Sequence, residues 1–245
     1  MCTVTLIKKP NKGFILTSNR DEIINRETLA PKSYRDNDHK LIYPKDMLAG
    51  GTWIGMSDNN SMVCLLNGGN DRHISKPPYR LSRGVVVKDL LRAGNLLERL
   101  RSFDYQGVEP FTVIAAQWKG EHEFYELVWD GVQSNITSLD ASTYIWSSAT
   151  LYDQNAKKTR ELWFNNFLKQ KDTSPEKILE FHKIAGQGNK KIGLQIDRGF
   201  LKTRSVTQIV KTSQELSMRY EDLTDTNSLV TYCSLKDVSP EVISK

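Results

Sequence analysis

The stretch Met1-Cys2-Thr3-Val4-Thr5-Leu6-Ile7-Lys8, continued by Lys9-Pro10-Asn11-Lys12-Gly13, Phe14-Ile15-Leu16 and Ser18-Asn19-Arg20-Asp21-Glu22, decides how the rest of the chain is read. Two apolar, β-branched runs flank a turn built on Pro, Asn and Gly, which predicts a β-hairpin. Two strands of about six residues, rising roughly 3.4 Å per residue, bring the chain back beside its own start. The polar loop from Ser18 to Glu22 is therefore expected next to the first residues.

Removal of Met1 would leave Cys2 carrying a thiol and a free α-amine on one carbon. Ordinary values of about 8.5 for the thiol and about 7.7 to 8 for the amine leave both partly in reactive form near neutrality. The amine can take the thiol proton, directly or through a water, so that nucleophile and base share one residue. Hairpin geometry brings Arg20 and Asp21 to the same place: Arg20 to favour the thiolate, Asp21 to hold or orient the amine.

Farther along, Gly50-Gly51 introduces Thr52-Trp53-Ile54-Gly55-Met56-Ser57, and Asp58-Asn59-Asn60-Ser61 turns the chain into Met62-Val63-Cys64-Leu65-Leu66-Asn67. This predicts a second hairpin, with paired glycines that permit a tight turn and close approach of backbone to a ligand. Asn67 ends a buried-looking strand just before Gly68-Gly69. An amide there is well placed to donate to a developing oxyanion.

Met1-Cys2, a hairpin, Asn19-Arg20-Asp21-Glu22 and then Gly50-Gly51-Thr52-Trp53-Ile54-Gly55 together resemble the NRDE family, also called the transport and Golgi organisation family. The likeness spans most of the chain. That family is similar in turn to the N-terminal-nucleophile (Ntn) hydrolases of the bile-salt hydrolase and penicillin V acylase group. The resemblance implies a four-layer αββα sandwich and a cysteine hydrolase acting on a non-peptide amide, or a thioester. Cys2, Arg20, Asp21, Asn67 and Arg204 would be its catalytic residues. Arg204 enters through Lys202-Thr203-Arg204-Ser205-Val206-Thr207, which resembles the segment supplying a late active-site Arg in bile-salt hydrolases. Asn19, Gly51, Thr52, Trp53 and Ser148 are carried over as substrate-contacting positions. Ser148 stands where bile-salt hydrolases have an Asn, and a hydroxyl donates one hydrogen bond without reproducing an amide's geometry. The alternative implied by the family is a carrier that binds lipid, acyl-CoA or haem in the same cleft without turning it over.

The remaining pattern agrees with an α+β chain. Residues 25 to 48 are polar and irregular, with a short strand at Leu41-Ile42-Tyr43 ended by Pro44, and are expected as a long loop rimming the cleft. A helix capped by the Ser82 side chain and a second from Leu96 to Phe103 follow. Four meander strands are expected between Phe111 and Trp146, then helices from Gln154 to Lys169 and from Ser174-Pro175-Glu176 to near Gly186. Strands return between Thr203 and Leu235. Strands, two helices, strands, two helices, strands is the order expected of two antiparallel sheets between helical layers.

Composition sets the outer bounds. The 245 residues, 38% hydrophobic and 26% charged, read as one globular domain spanning 1–245 with a sizeable core. No apolar stretch approaches the roughly 20 residues of a membrane span. The start lacks the long apolar segment of a secretory signal, which predicts a cytoplasmic protein. Cys2, Cys64 and Cys233 show no metal spacing, the last two sitting in apolar strand patterns, and the odd count fits a reducing compartment. His39, His73, His122 and His182 are scattered without ligand spacing, so no metal is expected, and no cofactor fingerprint occurs. The net charge of +5 is dispersed in short pairs such as Lys157-Lys158, against nucleic-acid binding and compatible with an anionic small molecule.

Overall fold

The computed structural model describes residues 3–10, 13–36, 38–224 and 229–236. Its first hairpin joins β1 (Thr3–Lys9) to β2 (Gly13–Ile23), with Thr3 opposite Asn19 and Lys9 opposite Gly13. The segment Ser18 to Glu22, expected as a loop, is strand. The cause is a long-range partner: β11 (Leu201–Lys211) pairs along the other edge of β2 from Phe14 to Ile23, satisfying backbone groups that β1 does not reach.

Six strands make this sheet, in the order β10-β1-β2-β11-β12-β13, with β10 at Thr143–Ser147, β12 at Glu215–Asp222 and β13 at Val230–Lys236. Seven make the other, in chain order: β3 (Thr28–Asp36), β4 (His39–Asp46), β5 (Ile54–Ser57), β6 (Ser61–Asn67), β7 (Phe111–Lys119), β8 (Glu121–Trp129) and β9 (Ser134–Ser138). Every pairing between these strands is antiparallel. Two expectations are corrected. Residues 25–48 hold the β3–β4 hairpin, and Pro44 lies inside β4, whose Leu41 and Ile42 pair β5. The four-strand meander is divided: β7, β8 and β9 stay in one sheet, while β10 crosses to the other and pairs β1.

Strand alternation sorts side chains into layers. Val4, Leu6, Phe14 and Leu16 face Ile54, Met56, Cys64 and Ile114 across the space between the sheets. Val63, Leu65 and Val113 turn outward onto α1 (Arg83–Arg92) and α2 (Leu96–Ser102). Ile7 and Ile15 turn outward onto α3 (Gln154–Leu168) and α4 (Pro175–Ile184). The result is an αββα sandwich. Asp153 and Asn95 cap α3 and α2 through the N–H groups of Ala156 and Glu98. Ser82 stands at the start of α1 but, contrary to expectation, makes no side-chain cap bond. No described helix is long and apolar enough to cross a membrane.

Candidate active site

β2 passes between β1 and β11, and its alternation divides the Asn19-Arg20-Asp21 segment between two faces. Arg20 points toward the second sheet and is only 2% exposed. Its Nη2 donates to Asp46 Oδ2 at 2.8 Å, its guanidinium lies 4.5 Å from the centre of the Trp53 ring, and Glu22 stands 3.7 Å away. Burial pulls the guanidinium below its ordinary value, with Glu22 and Asp46 opposing. Asp46 is itself well held: Oδ1 accepts from the N–H groups of Leu48 and Ala49, and Oδ2 also accepts from Arg26 Nε at 2.7 Å. Burial alone would raise its carboxyl, but the Ala49 N–H and the two arginines hold it below the usual range. Among the described residues Arg20 Nη1 has no hydrogen-bond partner.

These groups line a cleft of about 360 Å³ between the strand ends and the start of α1, a size suited to a small molecule. Gly51 is there because nothing larger fits: a Cβ at Gly51 would lie 2.7 Å from the Gly84 backbone, and one at Gly84 would lie 2.8 Å from Thr52 N. The two glycines bring the start of α1 down onto the Gly51–Thr52 backbone. Trp53 follows, buried beneath Arg20. The Thr52 hydroxyl is spent locally on the Ile54 carbonyl at 2.9 Å, so Thr52 borders the cleft without a free hydroxyl proton to offer.

Asn67, at the end of β6, lines the same cleft, and its amide forms no hydrogen bond with another described residue. Its carbonyl accepts from Ser148 Oγ at 2.7 Å. Gly68, at φ +87°, lets the chain leave β6 against Ala149 and Thr150. Ser148 thus sits beside the cleft with its hydroxyl proton already committed. It pins Asn67 to the β10–α3 junction.

The opposite face of β2 turns toward α4 and the segment that precedes β11. Asn19 is fully buried, its Nδ2 donating to the carbonyls of His182 and Leu194 at 3.1 and 2.5 Å. Its Oδ1 accepts from His182 Nδ1 at 2.6 Å, which fixes the His182 tautomer and leaves Nε2 to accept from Thr5 Oγ1 at 2.8 Å. Burial, aided by the nearby Arg160 charge, pulls His182 down to about 3, so the ring is neutral. Asn19 therefore ties β2 to α4 and does not line the cleft. Asp21 points the same way: Tyr152 donates to Oδ2 at 2.8 Å and Thr203 Oγ1 to Oδ1 at 2.5 Å.

Arg204 occupies the bulge where β11 slips between Thr203, opposite Asp21, and Ser205, opposite Arg20. It does not line the cleft. Its Nε is buried without a hydrogen-bond partner among the described residues. Cys2, the expected nucleophile, lies outside the described residues. Cys64 is fully buried in the inter-sheet core and burial pushes its thiol up to about 12, which makes it inert. His73 binds Glu109 at 3.1 Å, and Glu109 also pairs with Arg83 at 3.0 Å on the cleft wall. Among the described residues no three His, Cys, Asp or Glu side chains gather as a metal site.

Sequence reasoning missed Asp46, Arg26, Glu109 and Arg160. Asp46 was hidden in the supposed loop, where the signal was the alternation Leu41, Tyr43, Lys45 against Ile42, Pro44, Asp46. Arg160 is fully buried within a helix segment that reads as solvated charge.

A family model described as transport and Golgi organisation 2 matches residues 1–227. Comparison with curated protein sequences finds no match. Among solved structures, the fold is similar to the Caenorhabditis elegans ortholog of N-acylethanolamine-hydrolyzing acid amidase, with a TM-score of 0.57 at 14% identity over 85% of this chain and 92% of that one. It is also similar to penicillin V acylase from Agrobacterium tumefaciens, with a TM-score of 0.58 at 9% identity over 96% and 86%. A variant of the conjugated bile acid hydrolase from Clostridium perfringens gives a TM-score of 0.53 at 8% identity over 96% and 97%. These likenesses establish the Ntn-hydrolase fold.

Proposed function

From the premise that the chain belongs to the transport and Golgi organisation 2 family, we propose that it is a cysteine hydrolase of the Ntn type, cleaving a linear non-peptide amide or a thioester. Cys2, exposed by removal of Met1, is the nucleophile. Its α-amine takes the proton from sulfur, the thiolate attacks the carbonyl carbon, and the carbonyl electron pair moves onto oxygen. Collapse of that intermediate breaks the bond to the leaving nitrogen or sulfur, which takes the proton from the ammonium. Water, activated by the same amine, then attacks the thioester and releases the acid and the free thiol.

The observation that carries this reading is the convergence on one cleft of two residues with donors unpartnered among the described residues, Arg20 from one sheet and Asn67 from the other. A preorganised amide donor can hold the developing oxyanion, and a nearby guanidinium favours thiolate. Thr3 and Thr5 turn toward α3 and α4, whereas Val4 and Leu6 turn to the inter-sheet side where Arg20 lies. Cys2 is one Cα step of about 3.8 Å from Thr3, whose cross-strand neighbours are Asn19 and Ser147.

The test is turnover of a panel of N-acyl amines and acyl thioesters by the Met1-processed protein and by Cys2→Ala. Hydrolysis that disappears with the thiol supports the reading. Ligand binding retained by Cys2→Ala, with no turnover by the native protein, would instead point to a lipid, acyl-CoA or haem carrier.

A further inference from the structure

The two ends of the sandwich differ in what their turns expose. Antiparallel pairing puts the β3–β4, β5–β6, β7–β8 and β11–β12 turns at one end, and among the described residues none of them exposes a large apolar side chain. At the other end β2, β4, β6 and β8 finish, and the Arg20–Asp46 contact joins the two sheets there. The connections at that end expose Ile24, Leu48, Ile74 and Val132, and Phe200 joins them just before β11. Four of these five are strongly exposed, from 70% for Phe200 to 82% for Ile74. Ile24 and Phe200 adjoin, the Ile24 N–H donating to the Phe200 carbonyl at 3.2 Å. The cleft lies at the same end, and its lining residues Ala49, Tyr79 and Leu81 belong to the Leu48 and Ile74 connections.

We propose that this end is a docking face for an anionic lipid surface and that it sets the cleft against that surface. Single exposed apolar residues are ordinary, but a set confined to the turns of one end marks an interaction face. The other exposed large apolar side chains lie beside these tips, on helices, or in and just before β13. Strands about 4.8 Å apart put the β4–β5 and β8–β9 turns, four strands from each other, roughly 20 Å apart. The tips therefore form a broad surface and not a single groove, which suits a lipid layer that each tip enters separately. Charge selects the layer. Residues 68–82 carry Arg72, Lys76 and Arg80 against Asp71, and residues 185–200 carry Lys190, Lys191 and Arg198 against Asp197. Elsewhere on the face Arg26 stands with Glu27, and Asp130 is near Val132, so the attraction resides on those two segments. Apolar area and attraction to anionic headgroups add in holding a protein at such a surface. Docking does not depend on the chemistry in the cleft. Its consequence for substrate rests on the hydrolase reading above: the acyl compounds cleaved are ones dissolved in the lipid layer.

The experiment is flotation of the full-length protein with vesicles of phosphatidylcholine alone or mixed with phosphatidylserine. The native chain is expected to float with the mixed vesicles and far less with phosphatidylcholine, and a rise in salt from about 0.1 to about 1 M weakens the binding severalfold. Leu48→Ser combined with Phe200→Ser lowers affinity for the mixed vesicles about tenfold or more. Leu162→Ser on α3, where the side chain is 59% exposed, leaves it unchanged. Lys190→Gln combined with Lys191→Gln weakens binding to the mixed vesicles alone. All five positions are surface sites, and thermal unfolding of each variant checks that the fold is kept. No flotation, equal flotation with both vesicles, or flotation that survives the Leu48→Ser and Phe200→Ser pair would overturn the proposal. A dimer seen in sedimentation velocity and abolished by that pair, without flotation, would give the face to a second copy instead. A protein that floats but does not hydrolyse an N-acyl amine carried in the vesicles would keep the docking face and remove the hydrolase reading. Hydrolysis of that amide without flotation would do the reverse.

Discussion

The two faces of β2 hold neighbouring residues in opposite conditions. Toward the helices, Asn19 has every polar atom bonded within the described structure and Asp21 is gripped by Tyr152 and Thr203. Toward the second sheet, Arg20 and Asn67 both line the cleft, and among the described residues neither Arg20 Nη1 nor the Asn67 amide has a hydrogen-bond partner. Saturated buried groups hold a fold together, while donors left over at a cleft are the ones available for a ligand. Under the proposed hydrolase reading the contrast assigns stability to one face and chemistry to the other, and substitutions can break that assignment.

The largest expected effect is on the saturated face. Asn19→Ala strands His182 Nδ1 and the His182 and Leu194 carbonyls in a dry layer, and is expected to cost about 3 kcal/mol or more in urea unfolding. A loss below about 1 kcal/mol would show that this face is not the structural one. On the cleft face the signs reverse. Asn67→Ala is expected to lower turnover by about 10²–10³ while leaving the unfolding midpoint nearly unchanged, because its amide bonds nothing within the described residues.

His182 sharpens the comparison through pH. Its folded value of about 3 lies below the ordinary histidine value of about 6.5, so the unfolded chain takes up the proton first. Its contribution is fully present above about pH 6.5 and is lost as pH falls from there toward about 3, at up to about 1.4 kcal/mol per pH unit. Unfolding free energies measured between pH 7 and about pH 4 should show this slope, and His182→Gln should flatten it. Ser148→Ala is the smallest change. It removes the bond that fixes the Asn67 carbonyl, costing about 1 kcal/mol in stability and several-fold in turnover.

The same contrast explains what could be read in advance. The first hairpin, the β5–β6 hairpin and all four helices follow from apolar periodicity and turn residues that local sequence displays. Ser18 to Glu22 did not read as strand because its polar residues are buried by partners far away in the chain, β11 and α4. β3 did not read as strand because it is a largely exposed edge with little apolar alternation. With it went Asp46, the anchor of Arg20. Asn67 was legible as a strand-end amide, whereas the split of Arg20 from Asp21 required knowing that the segment is pleated. That β10 leaves its meander for the other sheet is a long-range pairing with no local signal.

The central claim is that the cleft face acts through a thiol at the mature N-terminus. Intact-protein mass spectrometry before and after exposure to an electrophilic acyl probe addresses it most directly. The account predicts a mass lacking Met1 and a single acyl adduct that is absent from Cys2→Ala. A mature chain that retains Met1, or an adduct that persists in Cys2→Ala, would contradict it.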